Sequence, residues 1–145
     1  MANRPKFDVL RGWPKGGAVE GIFVPASVAL YEGDLVEILS TGKVEKAVLA
    51  ASDDKLVWCV IEGNAEDDSY SGHYLNKVVA ITGDYEVITT KFVAGAYAPG
   101  LAVSVAGDAV PADAGKFILD AALPTVGFVK AYDAVAGTLT VVMAK

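Results

Sequence analysis

The apolar residues of this chain fall into short runs separated by glycines, prolines and polar turn residues. Some runs alternate with polar residues, which is typical of half-buried strands, and others are continuous, which is typical of buried strands. The pattern indicates about ten short strands and no layer of helices. The clearest of these predicted strands span residues 19–24, 29–39, 44–49, 55–62, 78–81, 85–90, 125–131 and 138–143.

Two segments of the chain share the pattern of a β-hairpin, Gly33 to Ala47 and Pro99 to Ala112. In both, a glycine precedes an apolar strand, a glycine-containing turn reverses the chain, and a shorter strand returns. The similarity is too short, and the two copies are too far apart, for a solenoid with a fixed period. We therefore predict two strand pairs of one closed β-domain, with the last two predicted strands forming a further, closing hairpin.

The segment from Lys116 to Leu123 fits two kinds of structure. Its apolar residues Phe117, Ile118 and Leu119 could begin a helical turn or form a buried strand. Of these alternatives we favour the strand.

Length and composition favour a single all-β domain. The chain has 145 residues, enough to bury about 70% of its unfolded surface in one core. Its apolar residues, 53% of the chain, are largely alanine and valine, and aromatic residues make up 9%. This favours many thin strands over a few large helices. We predict a compact β-barrel, β-tulip-like or sandwich domain over residues 19–145, preceded by an extended N-terminal arm over residues 1–18.

The net charge and the lengths of the apolar runs limit the kinds of partner that the protein could bind. The net charge of −6 argues against nucleic acid, because binding phosphates requires a basic surface. No apolar run approaches the about 20 residues that a membrane-spanning helix needs, so a membrane partner is not expected either.

Residues 1–15 carry four basic side chains against one acid, which leaves a net charge of about −9 on the rest of the chain. The basic residues are Arg4, Lys6, Arg11 and Lys15, the acid is Asp8, and Phe7, Val9, Leu10 and Trp13 lie between them. Prolines within this segment disfavour a helix. It is predicted to be either an arm that lies across an acidic partner, or a frayed terminus or first edge strand.

Few residues could serve as nucleophiles, as general acids or bases, or as metal ligands. The lone Cys59 lies in an apolar run without a basic neighbour, which predicts a buried thiol in a reducing compartment. The single His73 lacks the partners of a zinc site or a catalytic triad. An acidic run does not have the spacing of an EF-hand loop, so it is either a solvated loop or a weak cation site. It comprises Glu62, Glu66, Asp67 and Asp68.

Two pairs of carboxylates could place acids on one strand face, Asp34 with Glu37 and Asp84 with Glu86. Glycosidases use such pairs, but they also need aromatic platforms in a cleft. Trp58, one of two tryptophans, lies in a run that is apolar on both sides and is predicted to be in the core. We therefore predict a protein that is not an enzyme, with no catalytic residues, no metal and no cofactor.

Several segments resemble the small decoration, or cement, proteins that bind the outside of tailed-bacteriophage capsids. The resemblance covers most of residues 20–145 and consists of turn and strand patterns. The segments are 31–36 (YEGDLV), 41–44 (TGKV), 89–103 (TTKFVAGAYAPGLAV), 126–130 (VGFVK) and 137–141 (GTLTV).

The resemblance implies a structural virion protein that stabilises contacts between major capsid protein subunits. It implies a homotrimer, with a dimer as an alternative, made in the host cytoplasm and located on the outer capsid surface. In that family an N-terminal arm often engages the capsid protein, which would place Arg4, Lys6, Phe7, Arg11 and Trp13 at the contact.

A second hypothesis is a carbohydrate-binding or host-surface-binding β-module of a virion. Such a module needs exposed aromatic side chains, and Tyr70, Tyr74 and Tyr97 lie in or near predicted loops.

Overall fold

The computed structural model describes residues 8–11, 18–26, 29–53, 55–64 and 77–144. Within these ranges the chain forms eleven strands in two antiparallel sheets, and its one helical element is a 3-10 turn, Pro111–Asp113. The all-β prediction is confirmed. The strands are β1 (Asp8–Arg11), β2 (Ala18–Phe23), β3 (Leu35–Ile38), β4 (Val44–Lys46), β5 (Trp58–Glu62), β6 (Val78–Gly83), β7 (Glu86–Thr89), β8 (Ala102–Val105), β9 (Phe117–Ile118), β10 (Gly127–Asp133) and β11 (Thr138–Met143).

The five-stranded sheet, ordered β2-β6-β5-β3-β4, curls until its two margins meet, and we call it the curled sheet. The segment that directly follows β2 reaches the free edge of β4. There the amide of Ala26 donates to the carbonyl of Val44 at 2.8 Å, and the amide of Val44 donates to the carbonyl of Val24 at 3.0 Å. Pro25 has no N–H, and it lies between the two residues that make these bonds.

The concave side of the curled sheet encloses a small apolar core of its own. Trp58 is 8% exposed there, which confirms its predicted place in the core, and its ring meets that of Phe23 edge-on at 4.8 Å between centroids. The buried members of this inner core are Leu30, Val36, Val44, Trp58, Val60, Val78 and Ala80.

The six-stranded sheet has the order β1-β7-β11-β10-β8-β9 and is closed in a similar manner at its β9 edge, whereas β1 lies at the other edge. The segment after β7 forms hydrogen bonds with the free edge of β9. The amide of Val93 donates to the carbonyl of Phe117 at 2.8 Å, and the amide of Phe117 donates to the carbonyl of Lys91 at 3.2 Å. Each sheet is therefore closed by residues that continue one of its own strands.

The main core lies between the six-stranded sheet and the convex side of the curled sheet. Its larger members are Leu35, Leu49, Val57, Ile81, Tyr85, Val87, Tyr97, Val103, Val105, Phe117, Val126, Val129, Leu139, Val141 and Met143. Strands β3, β5 and β6 are consequently buried on both faces. On β3, Leu35 belongs to the main core and Val36 to the inner core.

Two of the three predicted hairpins are confirmed. Strands β3 and β4 pair around a turn that contains Gly42 at φ 83°, and β10 and β11 pair around a turn that ends at Gly137, φ 68°. A positive φ favours glycine, because other residues clash there.

The hairpin predicted over Pro99–Ala112 is wrong in its second half. Strand β8 forms, but no strand returns at residues 109–112, where the chain enters the 3-10 turn. Pro111 has no N–H and cannot donate a hydrogen bond to a neighbouring strand. The strand that pairs with β8 begins further along the chain, at Phe117. Of the ambiguous segment 116–123, only Phe117–Ile118 is a strand.

Gly127 allows β10 to lie close against β11. A Cβ atom at this position would lie 2.7 Å from the carbonyl oxygen of Val142 and 2.7 Å from a methyl group of Val141. We expect Gly127→Ala to lower the free energy of unfolding by about 1–3 kcal/mol, because the backbone must shift. Urea denaturation measures this, with Gly107→Ala as the matched control, since a Cβ there meets nothing within 4 Å. Equal effects in both variants would contradict the close approach.

Candidate functional site

The structure locates one of the predicted partner-contact residues. Arg4, Lys6, Phe7 and Trp13 lie outside the described residues, whereas Arg11 ends strand β1, opposite Glu86 of β7. Residues 8–11 therefore form an edge strand of the six-stranded sheet, which is one of the two alternatives for the N-terminal segment. The division into an arm and a domain stays a prediction for the rest of that segment.

A single row of residues crosses the outward face of the six-stranded sheet, and we call it the outer row. It takes one position from each of four neighbouring strands, β7, β11, β10 and β8. The members are Glu86, Val142, Phe128 and Ala102. Directly opposite residues of antiparallel strands project to the same side. Phe128 is 45% exposed and Val142 is 41% exposed, so the middle of this row is apolar and open to solvent.

An ion pair lies beside the apolar part of the outer row. The ammonium of Lys130 donates to both carboxylate oxygens of Glu86 at 3.1 Å each. Glu86 is buried, whereas the Lys130 side chain is half-exposed. Lys130 lies where the pairing of β10 with β11 shifts by one residue, and this β-bulge re-aims its side chain.

Sequence reasoning missed the outer row. A signal for it was present, because the runs around Phe128 and Val142 are apolar at consecutive positions, whereas a strand with one solvent-facing side alternates. The pattern predicts both runs as strands of a closing hairpin, but it does not show which side of each strand lacks a second layer.

The fold gives different partners to the first of the carboxylate pairs considered as catalytic, Asp34 and Glu37. Asp34 precedes β3, and one of its oxygens accepts from the Lys91 ammonium at 3.1 Å while the other accepts from the Tyr31 amide at 2.9 Å. Glu37 accepts instead from the Lys55 ammonium at 3.1 Å and from the Val48 amide at 2.8 Å. Each of these two acids thus holds its own loop and lysine in place.

The Asp34–Lys91 pair connects the two sheets. Asp34 lies between β2 and β3 of the curled sheet, and Lys91 follows β7 of the six-stranded sheet. The carboxylate is buried, the ammonium is about three-quarters buried, and it also lies 4.9 Å from the centre of the Tyr31 ring. Such a pair adds little stability compared with apolar side chains of similar size, but removing one partner leaves the other charge buried and unpaired.

A shallow hollow of about 280 Å³ lies at the edge of the curled sheet. Ile38, Leu56 and Trp58 provide its apolar walls, and Glu37 and Lys55 provide its polar rim. The two rim side chains are bonded to each other. Its volume lies just below the range for small-molecule sites, about 300–1,000 Å³.

Cys59 is a buried core residue, as predicted, and is 1% exposed. Burial, together with the nearby Asp34 carboxylate, raises the pKa of its thiol well above the ordinary value. The neighbouring Tyr85 hydroxyl is also buried, and burial raises its pKa. Both groups are therefore neutral near pH 7, and the thiol is not activated as a nucleophile.

Tyr97 does not supply an exposed aromatic platform. It is buried, its hydroxyl donates to the carbonyl of Val93, and its ring packs against Phe92 and Tyr132 at 5.3 and 5.5 Å between centroids. Burial raises its pKa to about 12. The expectation that Tyr97 is available for sugar stacking is wrong, and Tyr70 and Tyr74 lie outside the described residues.

The acidic run and the histidine fall almost wholly outside the described ranges; only Glu62, at the end of β5, lies within them. Among the described residues, no group of three or more His, Cys, Asp or Glu side chains is arranged to hold a metal ion. No helix in this part of the chain is both long enough and apolar enough to span a membrane.

Comparison of the chain with protein-family models, with curated proteins and with solved structures gives no match.

Removing the cross-sheet pair should destabilise the fold. We expect Asp34→Ala to lower the free energy of unfolding by about 2–3 kcal/mol, because it leaves Lys91 without its acceptor and the Tyr31 amide without its cap. Asp108→Ala, a change of the same charge at an exposed position, should lie within about 0.5 kcal/mol of the unchanged protein. Urea denaturation distinguishes the two, and equal losses would contradict a specific role for Asp34.

The buried thiol and hydroxyls make stability fall at alkaline pH. Their folded pKa values are raised from ordinary values of 9.0 for Cys59 and 10.0 for Tyr97, so the unfolded chain loses these protons first. The free energy of unfolding should therefore fall above pH 9, by up to about 1.4 kcal/mol per pH unit for each group. Cys59→Ala should flatten the fall that begins near pH 9, and Tyr97→Phe should flatten the fall between pH 10 and 12. Urea denaturation at a series of pH values measures the slopes, and unchanged slopes would contradict the assignment.

Proposed function

We propose that this protein is a structural, non-catalytic decoration protein that attaches to the outer surface of a tailed-phage capsid and joins neighbouring major capsid protein subunits. The observation that carries the proposal is the position of β1. This strand pairs with β7 at the edge of the six-stranded sheet, and so it fixes where the basic residues 1–7 join the folded domain.

The distribution of charge supports an acidic partner. Arg4 and Lys6 precede β1, and Arg11 ends it, whereas the rest of the chain is strongly acidic. Opposite charges on two surfaces speed association and select the partner more than they add affinity. Phe7 and Trp13 would add apolar anchors, which are frequent hot spots of interfaces.

A decoration protein stabilises a capsid shell because its binding is coupled to assembly of the shell. A protein that binds only the assembled state makes disassembly costlier by the free energy of binding. In a homotrimer, or a dimer, the second and third contacts form within one complex, so individually modest contacts act together.

The acids of the folded domain fit a structural role. Asp34, Glu37 and Glu86 each accept from a lysine; Asp34 and Glu37 also cap backbone amides, and Glu86 binds the lysine at the bulge of β10. We include in the proposal that the protein needs no metal or cofactor and that its place is the outer capsid surface, after synthesis in the host cytoplasm.

Deleting residues 1–7 tests the proposal without removing β1. The truncated protein should keep its thermal midpoint within a few degrees, because the paired strand Asp8–Arg11 remains. It should lose most of its co-sedimentation with empty capsid shells of the phage that encodes it, and Arg4→Gln with Lys6→Gln should lose part of it, more so at raised salt.

Co-sedimentation of the unchanged protein with the shells is the control for this experiment. If it does not sediment with them, the proposed function is wrong. If both the unchanged and the truncated protein bind equally, the capsid role stands and the N-terminal contact is wrong. Binding to a glycan array without binding to shells would instead support the host-surface module.

A further inference from the structure

We infer that Val135, at the tip of the turn between β10 and β11, docks into the hollow at the edge of the curled sheet of a second copy of this chain. The turn lies between the end of β10 at Asp133 and the start of β11 at Thr138. The inference rests on the proposed function for the existence of a homotrimer or dimer, and it names the two surfaces through which the copies meet.

Val135 is the most exposed large apolar side chain in the part of the chain that the structure describes. It is 100% exposed, whereas the next, Val19, is 57% exposed. Its neighbours Ala134 and Ala136 are exposed as well, so the whole tip of the turn is apolar. Turns are usually built from glycine, proline, asparagine, aspartate and serine, because these residues help the chain to reverse. A valine at this tip is therefore not explained by the needs of the turn.

The turn that carries Val135 is held in one conformation by the residues at its two ends. One carboxylate oxygen of Asp133 accepts from the amides of Val135 at 3.0 Å and Ala136 at 2.9 Å. The carbonyl of Asp133 accepts from the amide of Gly137 at 2.8 Å, and Gly137 has a positive φ of 68°. A side chain on such a preorganised turn loses little entropy when it docks.

The hollow has the size and the lining to hold this tip. Its volume of about 280 Å³ is small for a small-molecule ligand, but an apolar cavity of about 150 Å³ already holds a group as large as benzene. Two of its walls, Ile38 and Leu56, are 42% and 54% exposed, so an apolar occupant would cover both. The rim side chains Glu37 and Lys55 bind each other, which favours an uncharged occupant over an ion.

A contact between this tip and this hollow joins copies head to tail. The tip belongs to the six-stranded sheet and the hollow to the curled sheet, so the two surfaces are different parts of the molecule. Head-to-tail contacts close into a ring when the rotation between copies allows it, and each copy then gives one tip and receives another. Releasing one copy from a ring breaks two contacts, so contacts that are individually small act together.

The two sides of the contact are tested separately by Val135→Asp and Leu56→Asp, with Val110→Asp as the matched control. Val110 is 55% exposed and directly precedes the 3-10 turn. All three changes add the same charge at an exposed apolar position, so thermal unfolding should change little. We expect the unchanged protein and Val110→Asp to sediment as oligomers. Val135→Asp and Leu56→Asp should each weaken association by at least about tenfold.

The pairing of the two sites is tested by cross-linking. A variant with both Val135→Cys and Leu56→Cys should form disulfide-linked oligomers in air, whereas Val110→Cys with Leu56→Cys should not. The native Cys59 is buried, so it does not compete. Absence of linked oligomers from the first variant, or equal amounts from both, would overturn the inference.

The remaining outcomes separate this inference from the proposed function. A monomeric unchanged protein, or oligomers that persist in both Val135→Asp and Leu56→Asp, would overturn the inference. If the same protein still sediments with empty capsid shells, the capsid role stands. Oligomers that are lost in both variants, from an unchanged protein that does not bind shells, would support the inference and overturn the proposed function.

Discussion

The structure depends on one constraint, the burial of strands β3, β5 and β6 on both faces. Leu35, Cys59 and Ile81 face the main core, whereas Val36, Val60 and Ala80 face the inner core of the curled sheet. Such strands cannot place polar side chains on either side without partners, which explains why Thr82 donates to the carbonyl of Val57 at 2.9 Å. Asp34, directly before β3, and Glu37, within it, each bind a lysine. Because both cores share these three strands, loosening one core loosens the other.

Much of the fold could be predicted from the sequence, because two signals were local. Short apolar runs correctly indicated most of the strands, and glycines correctly marked the turns around Gly42 and Gly137, where the structure gives a positive φ. The second predicted hairpin failed because its partner strand is chosen by a distant aromatic residue, Phe117, and not by the nearest turn. The closure of each sheet also could not be predicted from local sequence patterns. Val24 and Ala26 meet Val44, and Lys91 and Val93 meet Phe117, only after the intervening strands have been ordered in space.

The candidate site was less predictable, for a different physical reason. The sequence shows that Phe128 and Val142 are apolar, but exposure depends on which face of a strand finds a second layer. The curled sheet covers one face of the six-stranded sheet and leaves the other uncovered at the outer row. The carboxylates illustrate the same point. Asp34 and Glu37 are three residues apart in sequence, yet one binds Lys91 across the sheets and the other binds Lys55 within a loop, so proximity in sequence did not make them a pair.

In the proposed function, the N-terminal residues and the folded domain contribute in different ways. Strands β10 and β11 have hydrogen-bonded neighbours on both sides, so a contact made through this sheet would order few additional groups. Preorganised surfaces lose little entropy on binding and therefore set geometry and register. Arg4 and Lys6 would add charge contacts, which speed association and select the partner. Strand β1 links these two parts of the chain, because it pairs with β7 and directly follows residues 1–7.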